Sequence, residues 1–184
     1  MKNLIKIRNI KNFRRQDGFT FVEMMLSVAV MSIITGGLFS ALSVGEGSWK
    51  VNTTKITLQQ DLRTSMDWMK YDLQEAGLTS IVDVPADDAW YPSITFQVPS
   101  GILGGSINWN ANSIQFIQGG SDSTDLYRIQ NSVTKVLGGN IKTLQFRRLS
   151  TSSDIVEVVM IGERDTTSGI TVTYQMDFDV ALRN

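Results

Sequence analysis

The sequence predicts an α+β protein, with one long N-terminal helix packed on a C-terminal antiparallel β-sheet body. Three observations carry that expectation. From Phe19 to Leu42 the chain is apolar or neutral, with Glu23 as its one charge. An apolar stripe at helical spacing follows: Leu58, Leu62, Met66, Met69, Leu73 and Ala76. Beyond Gly77 the texture changes to short β-branched and aromatic runs separated by Gly, Asn, Ser and Asp.

Composition bounds the function before any motif is read. The chain has 184 residues, room for one domain plus an extra element. Its formal charge of −1 conceals an asymmetry: residues 1–18 hold six bases and one acid, and the remainder carries a net −6. An acidic body argues against nucleic acid as its partner. There is no Cys, so neither a disulfide framework nor a thiolate metal site is expected. There is no His, which removes the commonest general base and the commonest transition-metal ligand. No catalytic residue is assigned, and the expectation is of a protein that is not an enzyme.

The first element is the apolar run. A helix of about 20 residues, rising about 1.5 Å per residue, crosses a bilayer's hydrocarbon core. The bases ahead of it predict that residues 1–18 stay cytoplasmic while the acidic body lies across the membrane. A secretory signal peptide would have a shorter apolar core and a small-x-small cleavage site, which "FSALSVG" matches poorly. A plain signal anchor explains length and charge and leaves Glu23 unexplained. A carboxylate inside a span is costly and is functional by default.

The residues around Glu23 supply a specific pattern. "GFTFVEMML", from Gly18 to Leu26, fits every position of G-F-[TS]-[LF]-[VIL]-E-[MLV] behind a basic leader. In this the chain resembles the type IV pilin superfamily. The resemblance implies a leader, residues 1–18, removed by a membrane-embedded prepilin peptidase between Gly18 and Phe19. The same enzyme would N-methylate Phe19, leaving a mature chain of 166 residues. The new α-amino charge must then lie among apolar helices, where Glu23 can neutralise it in its own chain or in an adjacent subunit, because a paired charge is far less costly there than a lone one. Glu23 therefore reads as an assembly residue.

Residues 19–44 form the transmembrane and filament-core helix in this reading. Gly36 and Gly37 lie midway along it; each disfavours helix by about 1 kcal/mol relative to Ala. They mark either a soft point where the helix unwinds or a site of close helix packing. Residues 45–77 continue as the amphipathic half, with Trp68 and Tyr71 beside the apolar stripe as candidates to widen it and Gly77 at the position of a C-terminal cap.

Residues 78–184 make the β-rich extracytoplasmic body. Strands are expected at 93–98, 113–118, 126–130, 142–149, 155–162 and 170–180 in a meandering sheet, since no βαβ spacing occurs. "MKYDLQEAGLTS" and the order "LYR…VTKVLGGNIKTLQFRRL…VEVVMIG" resemble minor pilins of the PilW type and the J-subunit pseudopilins of type II secretion. The resemblance implies a subunit that initiates or caps a type IV pilus, or a tip-complex subunit of a type II secretion system. Its partners would be the prepilin peptidase, the major pilin, other minor pilins or pseudopilins, the membrane platform protein, and membrane lipid before assembly. The bacterial cytoplasmic membrane is the implied site, with the body later carried into the filament. The reading from another class is a signal-anchored ligand-binding domain or enzyme; Glu157, Glu163 and Asp165 are too scattered to support it.

The remaining constellations are modest. The acid pairs Asp87–Asp88 and Asp122–Asp125 sit in turn-like segments; calcium favours such carboxylates, but no ligand loop accompanies them, and they are expected to be solvated turn acids. No metal or cofactor is expected. Asp177 and Asp179 share a solvated face of the last strand. Arg147 and Arg148 point to opposite faces of one strand. Trp90, Tyr91 and Trp109 are expected to bury. "GILGG" and "LGG" are turns without the phosphate-loop pattern.

Overall fold

A computed structural model describes residues 18–182. The basic leader, apart from Gly18, lies outside the described residues. One helix, α1, runs unbroken from Phe21 to Gln74 over 54 residues. By compactness the chain divides between Gly45 and Glu46 into two units.

In the first unit every residue from 18 to 45 is exposed, including Phe19, Phe21, Leu26, Ile33 and Phe39. Length and composition suffice for α1 to cross a membrane. The 24 residues from Phe19 to Leu42 would span about 36 Å as helix, against about 30 Å of hydrocarbon. Three of its hydroxyls are satisfied within the helix. Ser27, Ser32 and Ser43 donate to the carbonyls of Glu23, Val28 and Phe39 at 2.7, 2.7 and 3.0 Å.

In the second unit α1 packs on the β-body. Leu58, Leu62, Met69, Leu73 and Ala76 are fully buried, and Met66 is partly so. The sequence reading left out two polar members of this stripe, Ser65 and Asp72, both buried. Trp68 and Tyr71 do not widen it: they are 45% and 61% exposed. Their spacing places them outside the seam; Trp68 instead meets Lys135, whose Nζ lies 4.1 Å from the ring centroid.

Nor is Gly77 a left-handed helix cap. Its backbone is extended, with φ −80° and ψ 143°. Past Gln74 the chain tightens instead: Glu75 N donates to Asp72 O at 3.2 Å and Ala76 N to Leu73 O at 3.0 Å. Gly77 is required for another reason. A Cβ there would stand 2.0 Å from Cη2 of Trp109, with two more ring atoms within 2.7 Å. Gly77→Ala is therefore expected to cost about 1–3 kcal/mol by overpacking, read as a lower thermal midpoint of the body. An unchanged midpoint would mean that Trp109 swings away freely.

The β-body holds nine strands among the described residues, every pair antiparallel, in three sheets where one meander was expected. The first sheet has the order β1 (Ser93–Phe96), β4 (Ile114–Gly119), β5 (Asp125–Gln130) and β6 (Val133–Gly138). Its inner face buries Ile94, Phe96, Ile114, Phe116 and Leu126, with the Phe96 and Phe116 rings 5.9 Å apart. The second is a hairpin of β2 (Pro99–Leu103) and β3 (Ser106–Trp109). Gly104 and Gly105, at φ 61° and 85°, form its two-residue turn. The "GILGG" turn is thus confined to its two last glycines, and its flanks are strands. β2, β3 and the edge strand β6 escaped detection because they are mostly exposed and carry no buried alternation.

The third sheet joins β7 (Ile141–Leu149), β8 (Ser152–Asp165) and β9 (Thr171–Ala181). Alternation on β8 buries Val156, Val158, Met160 and Gly162. Gly162 receives the helix: a Cβ there would lie 2.9 Å from both Leu58 Cδ1 and Leu62 Cδ1. Gly138 of β6 does the same for Ser65, whose Oγ lies 2.1 Å from the position of a Cβ. Two glycines thus let α1 approach two different sheets, which share one core. A reciprocal bridge between Tyr91 and Phe146, 2.8 Å in each direction, ties the segment before β1 to β7. On β9, Asp177 and Asp179 occupy the exposed face, as their spacing predicted.

Candidate functional site

The N-terminal constellation is built by the helix start. Gly18, Phe19 and Thr20 precede α1 and are exposed, so the Gly18–Phe19 bond lies in non-helical, accessible backbone. Phe19 is 84% exposed. Thr20 caps the helix reciprocally with Glu23. The Thr20 N–H and Oγ1–H both donate to Glu23 Oε2 at 2.9 Å, and the Glu23 N–H donates to Thr20 Oγ1 at 3.2 Å. This is a capping box, and its T-x-x-E signature is visible in the sequence although the family pattern drew attention away from it. The box holds the carboxylate against the first amide after Phe19. Glu23 is thereby positioned one residue from the nitrogen that cleavage would release.

Gly36 and Gly37 lie in unbroken helix, and a Cβ at either would have no neighbour within 4 Å. Nothing in the chain itself requires glycine there. Gly36 lines a shallow groove along the helix with Met24, Ser27, Met31, Ser32 and Phe39. Ser32, Gly36 and Ser40 follow small-xxx-small spacing, as do Gly37, Ala41 and Gly45. That spacing lets helix backbones approach closely in apolar surroundings.

Several polar groups of the body have structural partners. Asp72 accepts from Arg128 Nε at 2.6 Å, a long-range ion pair that the sequence reading missed because its partners lie 56 residues apart. Arg147 and Arg148 take opposite faces, as expected. Arg147 pairs with Glu157 and stacks on Trp90, its guanidinium 4.4 Å from the ring centroid. Arg148 is buried and donates to the carbonyls of Ser153 and Val84, and burial lowers its pKa.

Trp90, at 37% exposed, does not bury as expected; the guanidinium supplies its partner in place of the core. Tyr91 packs on the core and Trp109 covers Gly77. Asp87 and Asp88 are turn acids with specific partners. Asp87 Oδ2 accepts from Tyr91 Oη at 2.6 Å and Asp87 Oδ1 from Ala89 N at 3.1 Å. The Tyr91 hydroxyl, then the Ala89 amide, hold the Asp87 carboxyl below its ordinary pKa. Asp88, at φ 66°, accepts from the Ser150 amide and hydroxyl, and these lower its pKa in the same order. Asp125 lies against Gly120 and Gly139, while Asp122 and Glu163 line a separate surface hollow. Glu163 is paired with Lys142, and Asp165 accepts from Thr171 Oγ1 at 2.7 Å. Among the described residues no group of three or more carboxylates converges as a metal site would require.

Comparison with protein families matches residues 13–39 to the prokaryotic N-terminal methylation motif. The matched stretch contains Gly18, Phe19, Glu23, Gly36 and Gly37. Comparison with curated proteins and with solved structures returned no match.

Proposed function

We propose that this chain is a minor pilin or pseudopilin, a structural subunit that helps to initiate or cap a type IV pilus. Prepilin peptidase cuts between Gly18 and Phe19 and methylates the Phe19 nitrogen. The apolar part of α1 holds the subunit in the bacterial cytoplasmic membrane, with the body outside, until it enters the filament beside the major pilin and other minor subunits. Glu23 neutralises the Phe19 amine during that step. The protein carries no catalytic residue and no cofactor in this reading.

The observation that carries it is the N-terminal methylation motif heading a continuous 54-residue helix whose first part is apolar and wholly exposed. An isolated apolar surface of that length needs lipid or other helices to cover it. The order "VLGGNIKTLQF" from β6 into β7, which resembles PilW-type minor pilins and J-subunit pseudopilins alike, keeps a J-like tip-complex subunit of type II secretion as the second reading.

The test is the mass of the N-terminal peptide from membranes of cells with and without prepilin peptidase. The expected peptide starts at Phe19, carries one methyl group and disappears without the peptidase. A terminus at Met1, or a cut near Ala41, would return Glu23 to a tolerated acid in an ordinary anchor.

A further inference from the structure

The outer face of the first sheet has no part in the proposed assembly role. From Ala89 to Ser121 the chain has 33 consecutive residues without a charge, in a protein of which 19% of residues are charged. This segment supplies β1 and β4. At one end of their outer face is a groove of about 370 Å³, within the range of ligand sites. Its lining includes Thr95, Asn112, Gln115, Ile129, Gln130 and Asn131, and no charged side chain.

Along the same face, polar and apolar side chains alternate in cross-strand rows. Register places Thr95, Gln115 and Ile129 in one cross-strand row, and Ser93, Ile117 and Tyr127 in the next. The Tyr127 ring lies across Gly119, its Cδ2 and Cε2 atoms 2.6 Å from where a Cβ would stand. Glycine at 119 thus lets the Tyr127 ring lean along the sheet away from Gln115, over a position four residues from it on β4 and about 13 Å away, a distance that an oligosaccharide and not a single sugar would span.

The chemistry selects one ligand class. An anion would need cations, yet none lines the groove, and Arg128, which bonds Gln130 of its lining, is committed to Asp72 as well. A cation would need converging carboxylates, yet Asp83 is held by Thr95 and Ser93 at one end of the face, and Asp125 lies against Gly120 and Gly139 at the other. Carboxamides offer a donor and an acceptor side by side, which suits adjacent hydroxyls. Ile129 and the Tyr127 ring suit the C–H face of a sugar. Gln130 accepts from Arg128 Nη1 at 2.9 Å, which leaves its amide NH₂ outside that bond. We infer that this face binds an uncharged oligosaccharide, with Gln115 and Asn131 as hydrogen-bonding residues and Tyr127 as the stacking residue.

The test uses the processed full chain, ¹⁵N-labelled, in a zwitterionic detergent without a sugar headgroup. It is titrated with a malto-oligosaccharide and, separately, an N-acetylglucosamine oligomer to about 20 mM, enough to reveal millimolar binding. The expected result is a shift of the Gln115 and Asn131 side-chain amides with one probe. The acetylated probe would point to wall-type glycan, the hexose probe to capsule-type or external glycan. Gln115→Ala and Tyr127→Ala are expected to weaken binding at least tenfold, and Gln145→Ala, on the other sheet's exposed face, to leave it unchanged. Asn131→Asp, which tolerates the φ of 54° there, is a variant that keeps the turn and is expected to weaken binding as well. Failure of both probes to move these signals, or binding that persists unchanged in Gln115→Ala and Asn131→Asp, would overturn the inference and leave the assembly reading untouched.

Discussion

Glu23→Ala is expected to reduce incorporation into filaments by at least tenfold while leaving cleavage at Gly18–Phe19 and the thermal midpoint of the body unchanged. Two effects coincide in that variant and have to be separated. The side chain closes a capping box with Thr20, so its removal frays the first turn of α1. It also removes the carboxylate that would pair with the Phe19 amine among apolar helices. Glu23→Gln distinguishes the two, because Gln keeps an acceptor for the Thr20 amide and loses the charge. If neutralisation dominates, Gln is as defective as Ala; if the cap dominates, Gln restores most incorporation. The measurement is the processed fraction recovered in sheared filaments, with the N-terminal mass confirming cleavage. Normal assembly of both variants would remove Glu23 from the mechanism.

Asp72→Ala is expected to destabilise the body by about 2–3 kcal/mol in denaturant unfolding. Asp72 is 7% exposed, and the Arg128 side chain opposite it is 20% exposed. Removing one partner of a fully buried pair costs about 3–5 kcal/mol, and partial hydration of Arg128 reduces that figure here. The pair joins the last turns of α1 to β5, so its loss loosens the helix from the first sheet and not from the third. Asp72→Asn should fall between the wild type and Asp72→Ala, since an amide oxygen still accepts from Arg128 Nε. The double variant Asp72→Leu with Arg128→Met should recover much of the loss, because apolar replacement of a buried pair is often near neutral. Additive losses in that cycle would mean that the two residues act independently.

Much of the helix was legible because its signals are local. A run of 24 residues with one charge, and apolar positions three and four apart, need no knowledge of the partner surface. The stripe's polar members were not legible for the opposite reason. Ser65 is buried because Gly138 approaches it, and Asp72 because Arg128 meets it, and neither partner is near in sequence. Trp68 shows the converse: an aromatic at near-helical spacing suggested core, yet a cation on an edge strand took its ring face. Among strands, those with one buried face were found to within a few residues. The exposed hairpin β2–β3 and the edge β6 carry no such alternation, and tertiary placement alone distinguishes them from loops.

The sequence by itself determined the fold class, the extent of α1 to within three residues, and the Gly18–Glu23 motif, because periodicity and short motifs are encoded within a few turns of chain. Tertiary structure alone decided the split into three sheets, the role of Gly77 under Trp109, the Asp72–Arg128 pair and the groove beside Gln115, whose lining has no charged side chain. Each of these depends on which distant segments meet, and burial, register and pairing across a core are properties of that meeting.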